Sequence, residues 1–256
     1  MTVTFDTYVP GSSLLHRLDP RVKLWATLLG LMAVFLLPNV GAQLLFLAGI
    51  HFVLLATGVP WRTLLGLWRQ MAILVILILL LQPFLHPVGR EVFSLGPLHL
   101  TTGGVLDAVR LALRALAIAF AVATLLYTTS QPALVSAMVR LGLPYAWGLT
   151  VSLALRFLPA IQDLFHTVRD AQSARGWVAE GPPLRRLKEH VPVLVAVMIG
   201  TLRMSDQLTL ALAARGLETS RQRTTWRALR MRRLDWAFAL GVTLAFCLFA
   251  WWQFAG

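Results

Sequence analysis

The sequence predicts an all-α integral membrane protein of about five transmembrane helices, with a long helical insert between the fourth and the fifth. Three observations carry that reading. Of its 256 residues, 57% are hydrophobic and only 13% charged, with a mean hydropathy of +0.71. Soluble domains run near 45–50% apolar and about 25% charged. The apolar residues gather into runs of helical length, and the basic residues collect in particular connections between them.

The first 21 residues are mixed and polar, ending in Leu14-Leu15-His16-Arg17-Leu18-Asp19-Pro20-Arg21. An apolar run follows from Leu24 to Leu37, then the turn Pro38-Asn39-Val40-Gly41, then a second run from Leu44 to Ala56. Each run is short for a span of ~20 residues, so the two read together as a tight membrane hairpin. Val40-Gly41-Ala42 resembles a signal-peptide cleavage site, but the front end is long for that role and the second run begins at once. A third run covers Met71 to Leu85. Residues 86–107 read as a Gly- and Pro-rich loop, and a fourth helix is predicted over 108–127. That helix carries Arg110 and Arg114 on one face. Arg110 and Asp107 can sit at the interface, whereas Arg114 lies a turn deeper and has no evident partner. The last run, Trp236 to Trp252, ends in two tryptophans suited to the bilayer interface.

Charge fixes the orientation. The net charge of +12 would suit a nucleic-acid binder if the basic residues formed a soluble face. Instead they segregate along the chain. Residues 128–234 hold 15 of the 23 basic residues against six acidic ones. Arg17, Arg21 and Lys23 precede the first span, and Arg62 and Arg69 separate the second from the third. This is positive-inside topology, with the N-terminus and the insert cytoplasmic and the C-terminus outside. No nucleic acid is expected as a partner. The single Cys247 lies in an apolar run, which excludes an intrachain disulfide and a thiolate metal site.

The insert holds most of the functional signal. Ser130 is placed to cap a short helix from Pro132 to Leu141. A long helix is predicted over 145–174, apolar at first and amphipathic after Pro159, where a kink is expected. It stops at Ala174-Arg175-Gly176, with Gly176 suited to a left-handed terminating residue. A second long helix, over 184–214, contains Pro192, where a second kink is expected, and stops at Ala214-Arg215-Gly216. Asp206 is positioned to pair with Arg203. One such ending is ordinary helix termination. Two of them, 40 residues apart on paired helices, point to arginines that project from helix tips into acidic pockets on a partner.

On these residues the chain resembles the transmembrane T component of energy-coupling-factor (ECF) type ABC transporters, the cobalt, nickel, biotin and vitamin uptake permeases. The likeness rests on Leu15-His16-Arg17-Leu18-Asp19-Pro20-Arg21-Val22-Lys23-Leu24, on Ala174-Arg175-Gly176 and on Ala213-Ala214-Arg215-Gly216. It covers essentially the whole chain. The resemblance implies a four-span N-terminal membrane region over 1–127, cytoplasmic coupling helices over 128–234 and a last transmembrane helix over 235–256. It also implies two ABC-type ATPase subunits docked on Arg175 and Arg215. A separate small membrane subunit would bind the vitamin or metal ion.

Enzymatic readings find little support. A P-loop needs Gly-Lys before Ser or Thr, yet the only lysines, Lys23 and Lys188, do not follow glycine. Any ATP hydrolysis is therefore expected in partner subunits, and no cofactor is expected here. The rival class is a phospholipid-synthesising transferase, but no Asp-Gly element precedes either Ala-Arg-Gly stretch to help hold metal ions. No His-Glu-x-x-His motif is present. His51, inside the second run, reads as a packed histidine with satisfied hydrogen bonds.

Overall fold

The computed structural model describes residues 8–11, 13–85, 91–95, 98–177, 190–216 and 231–255, with the backbone alone for 91–95, 98–100, 254 and 255. Nine helices are described: α1 (Leu14–Arg17), α2 (Pro20–Leu36), α3 (Val40–Ala56), α4 (Trp61–Leu85), α5 (Thr102–Thr128), α6 (Gln131–Arg140), α7 (Tyr145–Ala174), α8 (Val191–Ala214) and α9 (Arg233–Ala255). Between α4 and α5 lies an antiparallel hairpin of β1 (Glu91–Leu95) and β2 (Leu98–Thr101), pairing Phe93 with Leu100 and Leu95 with Leu98. The hairpin corrects the expectation of a plain loop. Thr101 then starts α5 early, its hydroxyl accepting Gly104 N–H at 3.2 Å.

The fold divides into two compact units, one of α1–α6, the hairpin and α9, the other of α7 and α8. In the first, α5 is central, and α2, α3 and α4 all pack against it. Its buried face is rich in alanine, including Ala108, Ala112, Ala117, Ala121 and Ala123. Small side chains let neighbouring helices approach closely, the main source of packing energy where lipid removes the hydrophobic drive. Phe120 fills the middle of this core with no exposed surface, among Leu47, Leu54, Leu64 and Leu116. α9 packs against α2.

Five of the described helices are long and apolar enough to cross a bilayer, spanning Trp61–Leu85, Thr102–Thr128, Tyr145–Ala174, Val191–Ala214 and Arg233–Gln253. The set differs from the sequence-based one. α2 and α3 are 17 residues each, about 25 Å of helix against a hydrocarbon core of ~30 Å. α7 and α8 qualify by length and composition, but are the least apolar of the five. The chain is thus an all-α membrane protein whose N-terminal pair is short, in keeping with the two curtailed apolar runs.

Pro159 lies inside α7, and Pro83, which the apolar pattern does not single out, lies inside α4. Pro192 does not kink the second long helix. It occupies the first turn of α8, where a missing N–H leaves nothing unpaired. The part of the predicted helix over 184–189 lies outside the described residues. Ser130 takes the N-cap position of α6 without a side-chain hydrogen bond.

Candidate functional site: two arginine-capped helix ends and an N-terminal latch

The two Ala-Arg-Gly stretches adopt the same local structure. Ala174 and Ala214 are the last residues of α7 and α8, and the arginines follow at the C-cap with φ/ψ of −89°/13° and −87°/7°. Gly176 and Gly216 then turn left-handed at φ 82° and 73°. This is the conformation that an L side chain resists, which explains glycine at both positions. After α7 the terminating bonds form a full Schellman motif. Gly176 N–H donates to Ser173 O and Trp177 N–H to Gln172 O, each at 3.0 Å. After α8 the matching bond runs from Gly216 N–H to Ala213 O at 2.9 Å. Arg175 and Arg215 are both exposed. Among the described residues neither guanidinium has an ion-pair partner.

α7 and α8 pack together as an antiparallel pair. The Trp177 ring meets His190, at the start of α8, edge-on at 5.0 Å, so the end of α7 lies beside the beginning of α8. Further along, a Cβ on Gly200 would stand 2.8 Å from Leu164, the closest approach of the two helices at a glycine. Gly200 is ten residues from His190 and Leu164 eleven from Arg175, each about 15 Å from the closed end. The 25 residues from His190 to Arg215 then set the two motif arginines about 37 Å apart. Asp163 and Asp206 form no ion pair among the described residues, so the expected Arg203–Asp206 pair is absent, while Asp170 meets Arg169 at 3.8 Å on an exposed face.

The N-terminal segment forms a second constellation. Asp19 caps α2, accepting Arg21 N–H at 3.0 Å, and Pro20 occupies the first helical position. Asp235, in the first turn of α9, accepts Asp19 N–H at 2.9 Å and Arg232 N–H at 2.7 Å. Lys23 donates from Nζ to Thr128 O at 2.8 Å, at the end of α5. Val9 N–H donates to Tyr127 O at 3.0 Å, and His16 is held by Ser13 Oγ at 2.7 Å and Val9 O at 3.0 Å. Asp19, Lys23 and Asp235 are all more than nine-tenths buried. The motif that carries the family likeness at the N-terminus is therefore a clasp joining α2, α5 and α9. Sequence reasoning missed Asp235 and Thr128. The available signal was Asp235 itself, a lone acid beside an otherwise apolar span.

Two intramembrane polar groups also resolve. His51 bonds Leu47 O at 2.9 Å through Nδ1 and Trp68 Nε1 at 3.0 Å through Nε2, so both ring nitrogens are satisfied, as expected. Because the Trp68 indole only donates, Nε2 is the acceptor and Nδ1 carries the proton. Arg114 finds an aromatic partner, its guanidinium carbon lying 5.4 Å from the Phe35 ring centre. Arg110 pairs with Asp107 at 3.1 Å.

The profile of the cobalt transport protein family CbiQ matches residues 11–226. The chain belongs to this family. Its relatives bear the name of the T component. It is 32% identical to the energy-coupling factor transporter transmembrane protein EcfT of Streptococcus equi subsp. equi over 94% of both chains. It is also 32% identical to the EcfT of Heliobacterium modesticaldum over 98% of this chain and 97% of that one. A Bifidobacterium longum protein, provisionally named an ABC transporter ATP-binding protein, is 37% identical over 92% of this chain but only 31% of its own length. The chain is thus a transmembrane component of an ECF transporter, and a transport component by class.

Proposed function

We propose that this T component is the coupling scaffold of an importer in which two ABC-type ATPase subunits drive a separate small membrane subunit that binds a vitamin or metal ion. The observation that carries the reading is the pair of alike helix ends. Arg175 and Arg215 share one C-cap geometry, both are exposed, and α8 sets them about 37 Å apart. That distance exceeds any single acidic pocket, so each arginine serves its own ATPase, gripping a carboxylate bidentately. Ala174, Gly176, Ala214 and Gly216 keep the approach unhindered. The paired helices move with the ATPases and pass that motion to the substrate-binding subunit. No chemical step is assigned to this chain, and ATP hydrolysis belongs to the partners. The Bifidobacterium relative supports the association, since a stretch like this chain makes up about a third of a protein named for ATP binding.

The basic residues that flank α2 and crowd the insert support a cytoplasmic N-terminus and cytoplasmic coupling helices, in a chain that is multi-pass in the cell membrane. In this reading α2, α3, α4, α5 and α9 cross the bilayer, and α7 and α8 lie along its inner surface.

Two measurements test the proposal. Removing one member of a buried charge pair costs about 2–5 kcal/mol. Arg175→Ala or Arg215→Ala is expected to loosen the ATPases and lower transport, and the double variant to release them during purification. Undiminished co-purification with the double variant overturns the docking role. In a Cys247→Ser background, Ser173→Cys is expected to resist a membrane-impermeant maleimide in intact cells and to react in inside-out vesicles. Labelling from outside would mean that α7 crosses the membrane.

A further inference from the structure

A groove of about 820 Å³ opens between α2 and α3, floored by α5 and closed at the side by α9. It begins at Leu15 and Lys23 and ends at Leu37 and Trp252. The fourteen residues from Lys23 to Leu37 make it about 21 Å long, more than one leaflet of a ~30 Å hydrocarbon core. Its walls are apolar along this length. The threonines in it, Thr27, Thr124 and Thr128, each spend their hydroxyl on a carbonyl of their own helix, at Lys23, Phe120 and Thr124. A polar occupant would therefore find little to bond inside.

The two ends differ. Close to the Lys23 end along the chain lie Arg17 and Arg21 beside α2 and Arg232 and Arg233 at the start of α9, with Asp19 and Asp235, whose carboxylates accept backbone N–H groups, Asp19 also lying 3.9 Å from Arg21. Five cations against two anions leave that end at a net charge of about +3. Arg17, Arg232 and Arg233 are exposed there. At the other end Leu37, Leu45 and Trp252 carry no charge, and Trp252 suits an interface. An apolar length with a basic end matches the acyl chains and the headgroup of a lipid.

We propose that this groove is a binding site for an anionic phospholipid, with acyl chain laid along α2 and α3 and the phosphate held at the end marked by Lys23, Arg17 and Arg232. The site binds the lipid through shape along its length and through charge at its head. A zwitterionic lipid shares the first contribution and lacks the second. The inference does not depend on ATPase docking.

The test uses the purified full-length chain with the subunits that accompany it. Retention of phosphatidylglycerol and phosphatidylcholine with matched acyl chains is compared by native mass spectrometry. A basic residue near an anionic headgroup is worth about fivefold in retention. The wild-type chain should prefer phosphatidylglycerol, and Arg17→Gln with Arg232→Gln should reduce that preference by more than tenfold. Gly49→Phe adds a ring to the groove wall, starting from a Cβ that meets nothing within 4 Å. It should release both lipids, as should Ala33→Leu on the facing wall, while Ile73→Phe on the exposed face of α4 should release neither. Equal retention of the two lipids overturns the proposal. So does undiminished retention in both groove variants. If Gly49→Phe instead detaches a protein subunit and leaves the lipid in place, the groove is a protein interface and the proposal fails.

Discussion

The carboxylate of Asp235 accepts the backbone N–H of Asp19 at 2.9 Å, joining the start of α9 to the start of α2 across 216 positions. The same carboxylate accepts Arg232 N–H at 2.7 Å. Asp235 is 3% exposed, so removing it leaves two backbone donors without their acceptor in a poorly hydrated site. Asp235→Ala should lower stability by about 2–4 kcal/mol, and Asp235→Asn by less, because the amide oxygen still accepts. Thermal unfolding of the purified chain in detergent checks the order. Equal losses for the two variants would show that charge, not acceptance, is what matters.

Lys23 serves the same clasp from the opposite side. Its ammonium reaches Thr128 O at 2.8 Å, tying α2 to the end of α5. Lys23→Met keeps the length and removes the donor, so Thr128 O loses its cationic partner and the nearby carboxylates lose a counter-charge. The expected cost is roughly 1–3 kcal/mol. Loss of amide protection at the end of α5 in hydrogen exchange would locate the effect.

Gly176 and Gly216 are held at φ 82° and 73°. A Cβ in this region costs about 1–2 kcal/mol. Gly176→Ala and Gly216→Ala should therefore fray the last turns of α7 and α8. Hydrogen exchange should rise at Arg175 and Arg215, the two residues whose placement depends on these turns. A Cβ at Gly176 would meet nothing within 4 Å, so any effect there is conformational and not a clash.

Gly200 makes the opposite case, since a Cβ there would lie 2.8 Å from Leu164 Cδ2. Gly200→Ala gains helix propensity of about 1 kcal/mol but must move Leu164. The contact is with the far end of a flexible side chain, so Ala should be near neutral and Val clearly destabilising. Leu164→Ala should rescue Gly200→Val in a double-mutant cycle. Failure of that rescue would mean that the helices do not meet at this point.

Much of this architecture is legible in the order of the amino acids. The bounds of α7, 145–174, follow from its periodicity and from Gly176, because a helix stop has a sharp chemical signature. The left-handed glycines and the satisfied His51 are likewise readable. What escapes a sequence reading is non-local. The hairpin at 91–101 has weak alternation among glycines and prolines, and its pairing depends on where α4 and α5 end. Arg114 looks unpartnered along the chain because Phe35 lies 79 positions away. The Asp19–Asp235 contact is invisible to any local window. Pro192 misleads because a proline in an apolar run looks alike at a kink and at a first turn.

The clasp has a topological consequence. The segment that carries Val9, Asp19 and Lys23 touches Tyr127 and Thr128 on one side and Asp235 on the other. The starts of α2 and α9, 216 positions apart, and the end of α5 therefore share one buried anchorage, which is how the two ends of this unit's sequence are held together.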